Sequence, residues 1–111
     1  MARFQIVLVT CGSKAEATKI ARALVEQRLA ACVNVLTAPI ESIYRWKGRI
    51  ESAKEFLLVI KSTQSRFAVL RREIAKLHSY EVPEIIALPI SAGSPQYLKW
   101  LAESVSGELR R

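Results

Sequence analysis

The sequence predicts an α+β fold in which helices cover one face of an antiparallel sheet, and three observations predict it. The apolar period switches between that of a strand and that of a helix in the order βαββαβ, with one more helix at the end. Pro39 and Pro89 fall in the second and fourth strands, whereas the first and third contain no proline. Those proline-free strands are also the most continuously apolar. Proline cannot donate to a ladder and belongs on edges or at bulges. The first and third strands are therefore central and the other two lie at the edges, which is the ferredoxin-like, split βαβ arrangement.

Each element has its own signal. Phe4 to Cys11 (FQIVLVTC) is a β-branched, apolar run of the kind buried on both faces of a sheet. Gly12 breaks it, and Ser13 with Glu16 forms a capping-box signature. The helix that follows has Ala17, Ile20, Ala21, Leu24 and Val25 on one face and is expected to end near Leu29 to Ala31. Cys32 to Arg45 is the second strand, interrupted at Pro39. Trp46-Lys47-Gly48-Arg49 is a turn, and Ile50 to Lys61 returns as the third strand. Thr63 or Ser65 is placed to cap a second helix that aligns Phe67, Leu70, Ile74 and Leu77. Glu84 to Ile90 is the fourth strand. Ser94 and Pro95 open a last helix that buries Tyr97, Leu98 and Leu101.

Length and composition bound the rest. A chain of 111 residues supports one domain, 1–111, with half of its residues hydrophobic and 24% charged. The longest uncharged stretch, Ile85 to Leu98, is broken by Pro89, Gly93 and Pro95 and is too short for a membrane span. Met1-Ala2-Arg3 leads straight into a strand without a secretory signal, and two cysteines are too few for a disulfide scaffold, so a cytoplasmic location is expected. The net charge of +7 arises from 17 Lys and Arg against 10 acidic residues, all of them Glu. The basic residues are scattered, with only Arg71-Arg72 and Arg110-Arg111 adjacent, which is the pattern of solvated faces rather than of a nucleic-acid footprint.

The second and third strands are each about 12 residues long, roughly 40 Å if extended, whereas a first helix of about 17 residues covers only roughly 25 Å. The overhanging hairpin carries Ile40, Ile43, Tyr44, Trp46 and Ile50 beyond the reach of the helices. Long exposed edges invite pairing with another chain, so an oligomer sealed by hairpin contacts is expected. Tyr44, Trp46, Tyr80 and Trp100 fit interface packing better than an RNA-stacking platform, because that platform needs aromatics mid-strand on the central strands.

Topology brings three chemically capable residues together. The end of the first strand, Cys11, lies near the start of the antiparallel fourth strand, Glu84, and His78 sits on the loop entering it. A thiolate with an imidazole suits copper(I) or zinc, and a carboxylate completes the set. Cys11 also precedes a helix N-terminus, where the macrodipole lowers a thiol pKa. Each residue has a plainer alternative: Cys11 as a small buried hydrophobe, His78 as a helix C-cap, Glu84 as a solvated charge. Cysteine–histidine nucleophilic catalysis lacks an Asp, a nucleophile elbow and an evident oxyanion hole. None of the four glycines is in phosphate-loop spacing, and Cys32 is assigned to core packing.

Four strings occur in order: Leu29-Ala30-Ala31-Cys32-Val33-Asn34, Ser42-Ile43-Tyr44-Arg45-Trp46-Lys47-Gly48, His78-Ser79-Tyr80-Glu81-Val82-Pro83-Glu84-Ile85-Ile86 and Tyr97-Leu98-Lys99-Trp100-Leu101. Together they closely resemble the CutA family of divalent-cation tolerance proteins, over about Gln5 to Leu101. The resemblance implies a ferredoxin-like subunit in a compact homotrimer whose long hairpins pair between subunits. It also implies a cytoplasmic, metal-binding role in tolerance of copper and other divalent metal ions, with Cys11, His78 and Glu84 as the metal ligands. The family's usual proline after the histidine is replaced here by Ser79, which frees the backbone before Tyr80. The subunit fold and threefold assembly are shared with P-II signalling proteins, so a trimeric sensor or adaptor binding a small molecule or a partner protein between subunits is the alternative. An enzyme is not expected.

Overall fold

The computed structural model describes residues 4–107, so the Met1-Ala2-Arg3 start and the Arg110-Arg111 pair lie outside the described residues. Within them, β1 (Phe4–Cys11), α1 (Lys14–Glu26), β2 (Cys32–Val35), β3 (Ile40–Trp46), β4 (Arg49–Thr63), α2 (Phe67–Leu77), β5 (Ile85–Pro89) and α3 (Pro95–Ser104) follow one another. The sheet runs β2-β4-β1-β5, with β3 continuing along β4, and every pairing is antiparallel. The ferredoxin-like order expected from the prolines is therefore present, with the two proline-free strands in the centre.

Side-chain alternation divides the sheet into two unlike faces. Val7, Val9 and Cys11 of β1 and Leu58 and Ile60 of β4 point to the helices and pack, fully buried, with Ala17, Ile20, Leu24, Leu70 and Ile74. A smaller cluster of Ala31, Leu101 and Val105 under α3 closes the end near Phe4. Among the described residues, no helix lies on the other face. There Leu8 stands opposite Val59 and Ile86, and Ile6 opposite Leu88. Ile86 and Leu88 remain 50% and 45% exposed, so β1 is buried on one face and only half-covered on the other.

Several boundaries differ from the sequence expectation, each for a local reason. The second strand is two strands, because the chain leaves the ladder after the Leu36 N–H bonds to Leu57 O at 3.0 Å and rejoins it at Ile40, past Pro39. The first helix ends at Glu26 rather than near Leu29. Leu29 N–H reaches back to Leu24 O and Arg28 N–H to Val25 O, a Schellman end with Arg28 at φ 59° in the left-handed position that glycine usually fills. Without that glycine the sequence carries no stop signal. Thr63 and Ser65 bond to each other at 3.1 Å instead of capping, and a 3-10 turn over Gln64–Arg66 leads into α2. Ser94 holds the N-cap position of α3 without a side-chain cap bond; Leu101 is buried as expected, but Tyr97 is exposed and packs on Trp100.

The hairpin closes as its sequence demands. Trp46 pairs with Arg49 across the two-residue loop Lys47-Gly48, whose φ angles of 50° and 78° are both positive, as a type I′ turn requires. Beyond the helices Ile43 and Ile50 are 69% and 64% exposed, the overhang foreseen from strand length.

Candidate functional site

The end of β1, the start of α1 and the end of α2 meet at one point. Strand alternation sends the Cys11 side chain to the helix face, where it is fully buried. Ser13 caps α1 by accepting the Glu16 N–H at 3.1 Å, the first half of the expected capping box. The reciprocal half is replaced: the Glu16 carboxylate accepts the Ser79 N–H at 2.7 Å. A proline at 79 has no such hydrogen to give. His78 caps the other helix, its N–H bonding Ile74 O at 2.8 Å.

These turns bring ligand atoms of Cys11, Glu16 and His78 within 4.8 Å of one another, the metal-ligating group found among the described residues. Glu84 occupies a different position, in the lining of a neighbouring cavity. Cys11 and His78 thus lie together as topology implied, and Glu16, assigned from sequence only to a helix cap, is the third member. The Ser13-to-Glu16 spacing could not reveal this, because the carboxylate's partner is 63 residues away.

Both His78 nitrogens are engaged. Nδ1 accepts the Tyr80 N–H at 3.1 Å, which leaves Nε2 carrying the proton and donating to Thr10 O at 2.8 Å. Burial, and after it the charges of Glu16 and Glu55, pushes the Cys11 thiol up to about 12. The macrodipole expectation of an acidified thiol is overturned, because removal from water and two nearby carboxylates outweigh half a helix-end charge. A cation entering here displaces the thiol proton and one imidazole hydrogen bond. The sulfur, nitrogen and oxygen donor set fits copper or zinc in kind, and these two costs make the fit a weak one.

Tyr80 links this cluster to the opposite face of the sheet. Its ring lies 4.7 Å from His78, and a Cβ at Gly12 would sit 3.2 Å from its oxygen, so the bare glycine backbone leaves room for it. The phenol donates to Glu55 Oε2 at 2.8 Å; burial first, and then that bond, raises its pKa well above the ordinary phenol value. Glu55 and Thr10, on the helix-free face, line an open cavity of about 570 Å³ with Tyr44, Trp46, Tyr80 and Glu84. Three of the four aromatics singled out in the sequence therefore share one cavity, and Trp100 does not. Glu55 had a legible signal: adjacent opposite charges at Lys54-Glu55 in a central strand force one of them onto each face.

A family model for the CutA1 divalent ion tolerance protein matches residues 5–104. The chain belongs to the CutA1 divalent ion tolerance family. It is 48% identical over 100 residues to a divalent-cation tolerance protein CutA of Thermus thermophilus, covering 90% of this chain and 96% of that one. A CutA homolog of Xenopus laevis is 50% identical over 97 residues, and the match spans 87% of this chain but 64% of the longer frog protein. The solved structure of a periplasmic divalent cation tolerance protein CutA from Archaeoglobus fulgidus superposes with a TM-score of 0.89 at 41% identity, covering 93% of this chain and 99% of that one. Family and fold thus agree along nearly the whole described chain. No helix among the described residues is long and apolar enough to cross a membrane.

Proposed function

We propose that the chain is one domain over residues 1–111 and the subunit of a cytoplasmic homotrimer that binds copper or another divalent metal ion weakly, contributing to metal tolerance without catalysis. One observation carries the metal reading: Cys11, Glu16 and His78 hold sulfur, oxygen and nitrogen donors within 4.8 Å. Cys11 would hold a thiophilic ion as its thiolate, His78 through one ring nitrogen, and the carboxylate of Glu16, with Glu84 on the cavity side, would balance charge. Two free cysteines suit a reducing compartment. The trimer reading is supported by the apolar residues left open on the helix-free face and hairpin, Ile43, Ile50, Ile86 and Leu88.

A competitive copper(I) titration of the reduced protein tests the metal reading. Because one thiol proton must leave, affinity should rise about tenfold per pH unit between pH 6 and 9, and Cys11→Ser and His78→Ala should each weaken it. Unchanged affinity in both variants overturns the site.

The cavity favours a second reading, a P-II-like trimeric sensor or adaptor whose ligand is a small molecule or a partner protein held between subunits. Its volume of about 570 Å³ falls within the ordinary range for small-molecule sites, roughly 300–1,000 Å³.

A further inference from the structure

We propose that the outward face of the helix layer, α1 beside α2, binds duplex nucleic acid through its phosphate backbone, without reading bases. The basic residues are scattered along the sequence, and folding gathers them. Residues 12–31 and 64–79, which form this layer and its turns, carry eight Lys and Arg against three Glu, whereas 32–63 and 80–107 carry six of each. Among the described residues the whole excess of positive charge therefore sits in the helix layer. This face lies opposite the one that the trimer reading covers, so it stays open in a single chain and in an assembly alike. The proposal is independent of the metal reading.

The carboxylates of the layer are spent inside it. Glu16 accepts the Ser79 N–H at 2.7 Å, and Glu73 accepts the Gln27 side-chain amide at 2.9 Å; both are half-buried. The two bonds also tie α1 to α2. The buried stripes Ala17-Ile20-Ala21-Leu24 and Leu70-Ile74 face the sheet, so the other side of each helix faces water. There Lys14, Lys19, Arg22, Arg71, Arg72 and Lys76 are exposed, with Glu26 the one exposed carboxylate of the two helices. Lys76 with Glu73, at 3.9 Å, is the one ion pair among the described residues, so the other five cations have no anion to release before binding one. A duplex offers a phosphate about every 1.7 Å of its axis, and α1 alone is roughly 20 Å long, so phosphates outnumber the cations along the face.

The side chains around these cations select the kind of polyanion. Single strands are held by stacking bases on aromatic rings, and the layer's one Phe, Tyr or Trp is Phe67, packed against the core. Helices that lie on bilayers insert large apolar residues, and Val25 is the one large hydrophobic exposed on α1 and α2. Unpaired cations on paired helices, without rings or apolar anchors, match a surface of regularly spaced phosphates whose bases stay stacked inside.

Fluorescence anisotropy of a labelled mixed-sequence duplex, titrated with the reduced full-length protein over a series of salt concentrations, tests it. If five cations each meet a phosphate, the logarithm of the binding constant should fall with the logarithm of salt concentration at a slope of about −4.5. Arg22→Gln with Arg72→Gln should weaken binding at least tenfold at low salt and make the slope shallower by about two. Lys47→Gln with Lys99→Gln removes the same charge from the hairpin tip and α3 and should change affinity less than twofold. An equal loss in both double variants overturns the proposal, because net charge and not this face would then be responsible. A single strand bound as tightly as the duplex overturns the duplex. Binding to vesicles of phosphatidylglycerol but not to the duplex assigns the face to a membrane surface and overturns the proposal, as does full displacement of the duplex by polyglutamate at equal charge. No change of anisotropy at low salt overturns it outright.

Discussion

The two faces of β1 present opposite solutions to the same sequence run. On the helix face, Val7, Val9 and Cys11 are fully buried, and the polar groups at its end satisfy one another: His78 uses both ring nitrogens and Glu16 takes the Ser79 N–H. On the opposite face, Leu8 and Thr10 look towards a half-open sheet, an unsheltered hairpin and a cavity with three carboxylates. The difference teaches where the chain is self-sufficient and where it is unfinished. A closed cluster admits a ligand only by breaking bonds it already has, whereas the open face gains from anything that covers it.

Substitutions can break that comparison, and Ile86→Lys should have the largest effect. It places a charge on the open face, and if that face is covered in a trimer it should cost several kcal/mol per protomer and convert trimer to monomer in analytical ultracentrifugation. A trimer of unaltered stability would mean that this face stays in water. Ile60→Ala, on the closed face, should cost about 3 kcal/mol per chain in chemical denaturation while leaving the oligomeric state unchanged.

Alkaline titration sharpens the contrast next. The folded pKa of Cys11, about 12, lies above its ordinary value of 9.0, so the native state binds the proton more tightly than the unfolded chain does. That contribution is fully present below pH 9.0 and is lost as pH rises from there towards about 12. Cys11→Ala should flatten this alkaline decline, leaving the part due to Tyr80; an identical pH profile would mean that the thiol is not held protonated. Ser79→Pro should be smaller, about 1 kcal/mol, because it removes the N–H that anchors Glu16. It should also strengthen copper(I) binding by freeing that carboxylate. The smallest effect is expected from Arg28→Gly, a gain of under about 1 kcal/mol, measured as a raised Tm, because glycine relieves the left-handed backbone at the end of α1.

How much of this was legible follows from the range of the interactions. Local patterns carried the architecture: Pro39 and Pro89 marked the edges, and the Lys47-Gly48 pair marked the hairpin turn. Where the expectation slipped, a local signal was missing or misleading. Arg28 adopts a left-handed backbone without being glycine, and Ser65 spends its hydroxyl on Thr63. The site was half legible. Strand direction and helix order brought Cys11 to His78, but the roles of Glu16 and Glu55 depend on partners 63 and 25 residues away. The thiol pKa went the other way because a helix-end rule cannot register burial or carboxylates delivered by other elements.

The central claim is that the chain assembles as a trimer and holds metal through the Cys11 cluster. Native mass spectrometry of the reduced protein, with one equivalent of copper(I) per chain, tests it most directly. The account predicts a trimer of wild-type chains carrying up to three copper ions, and a Cys11→Ser trimer carrying none. A monomer, or a Cys11→Ser protein that takes up as much copper as wild type, would contradict it.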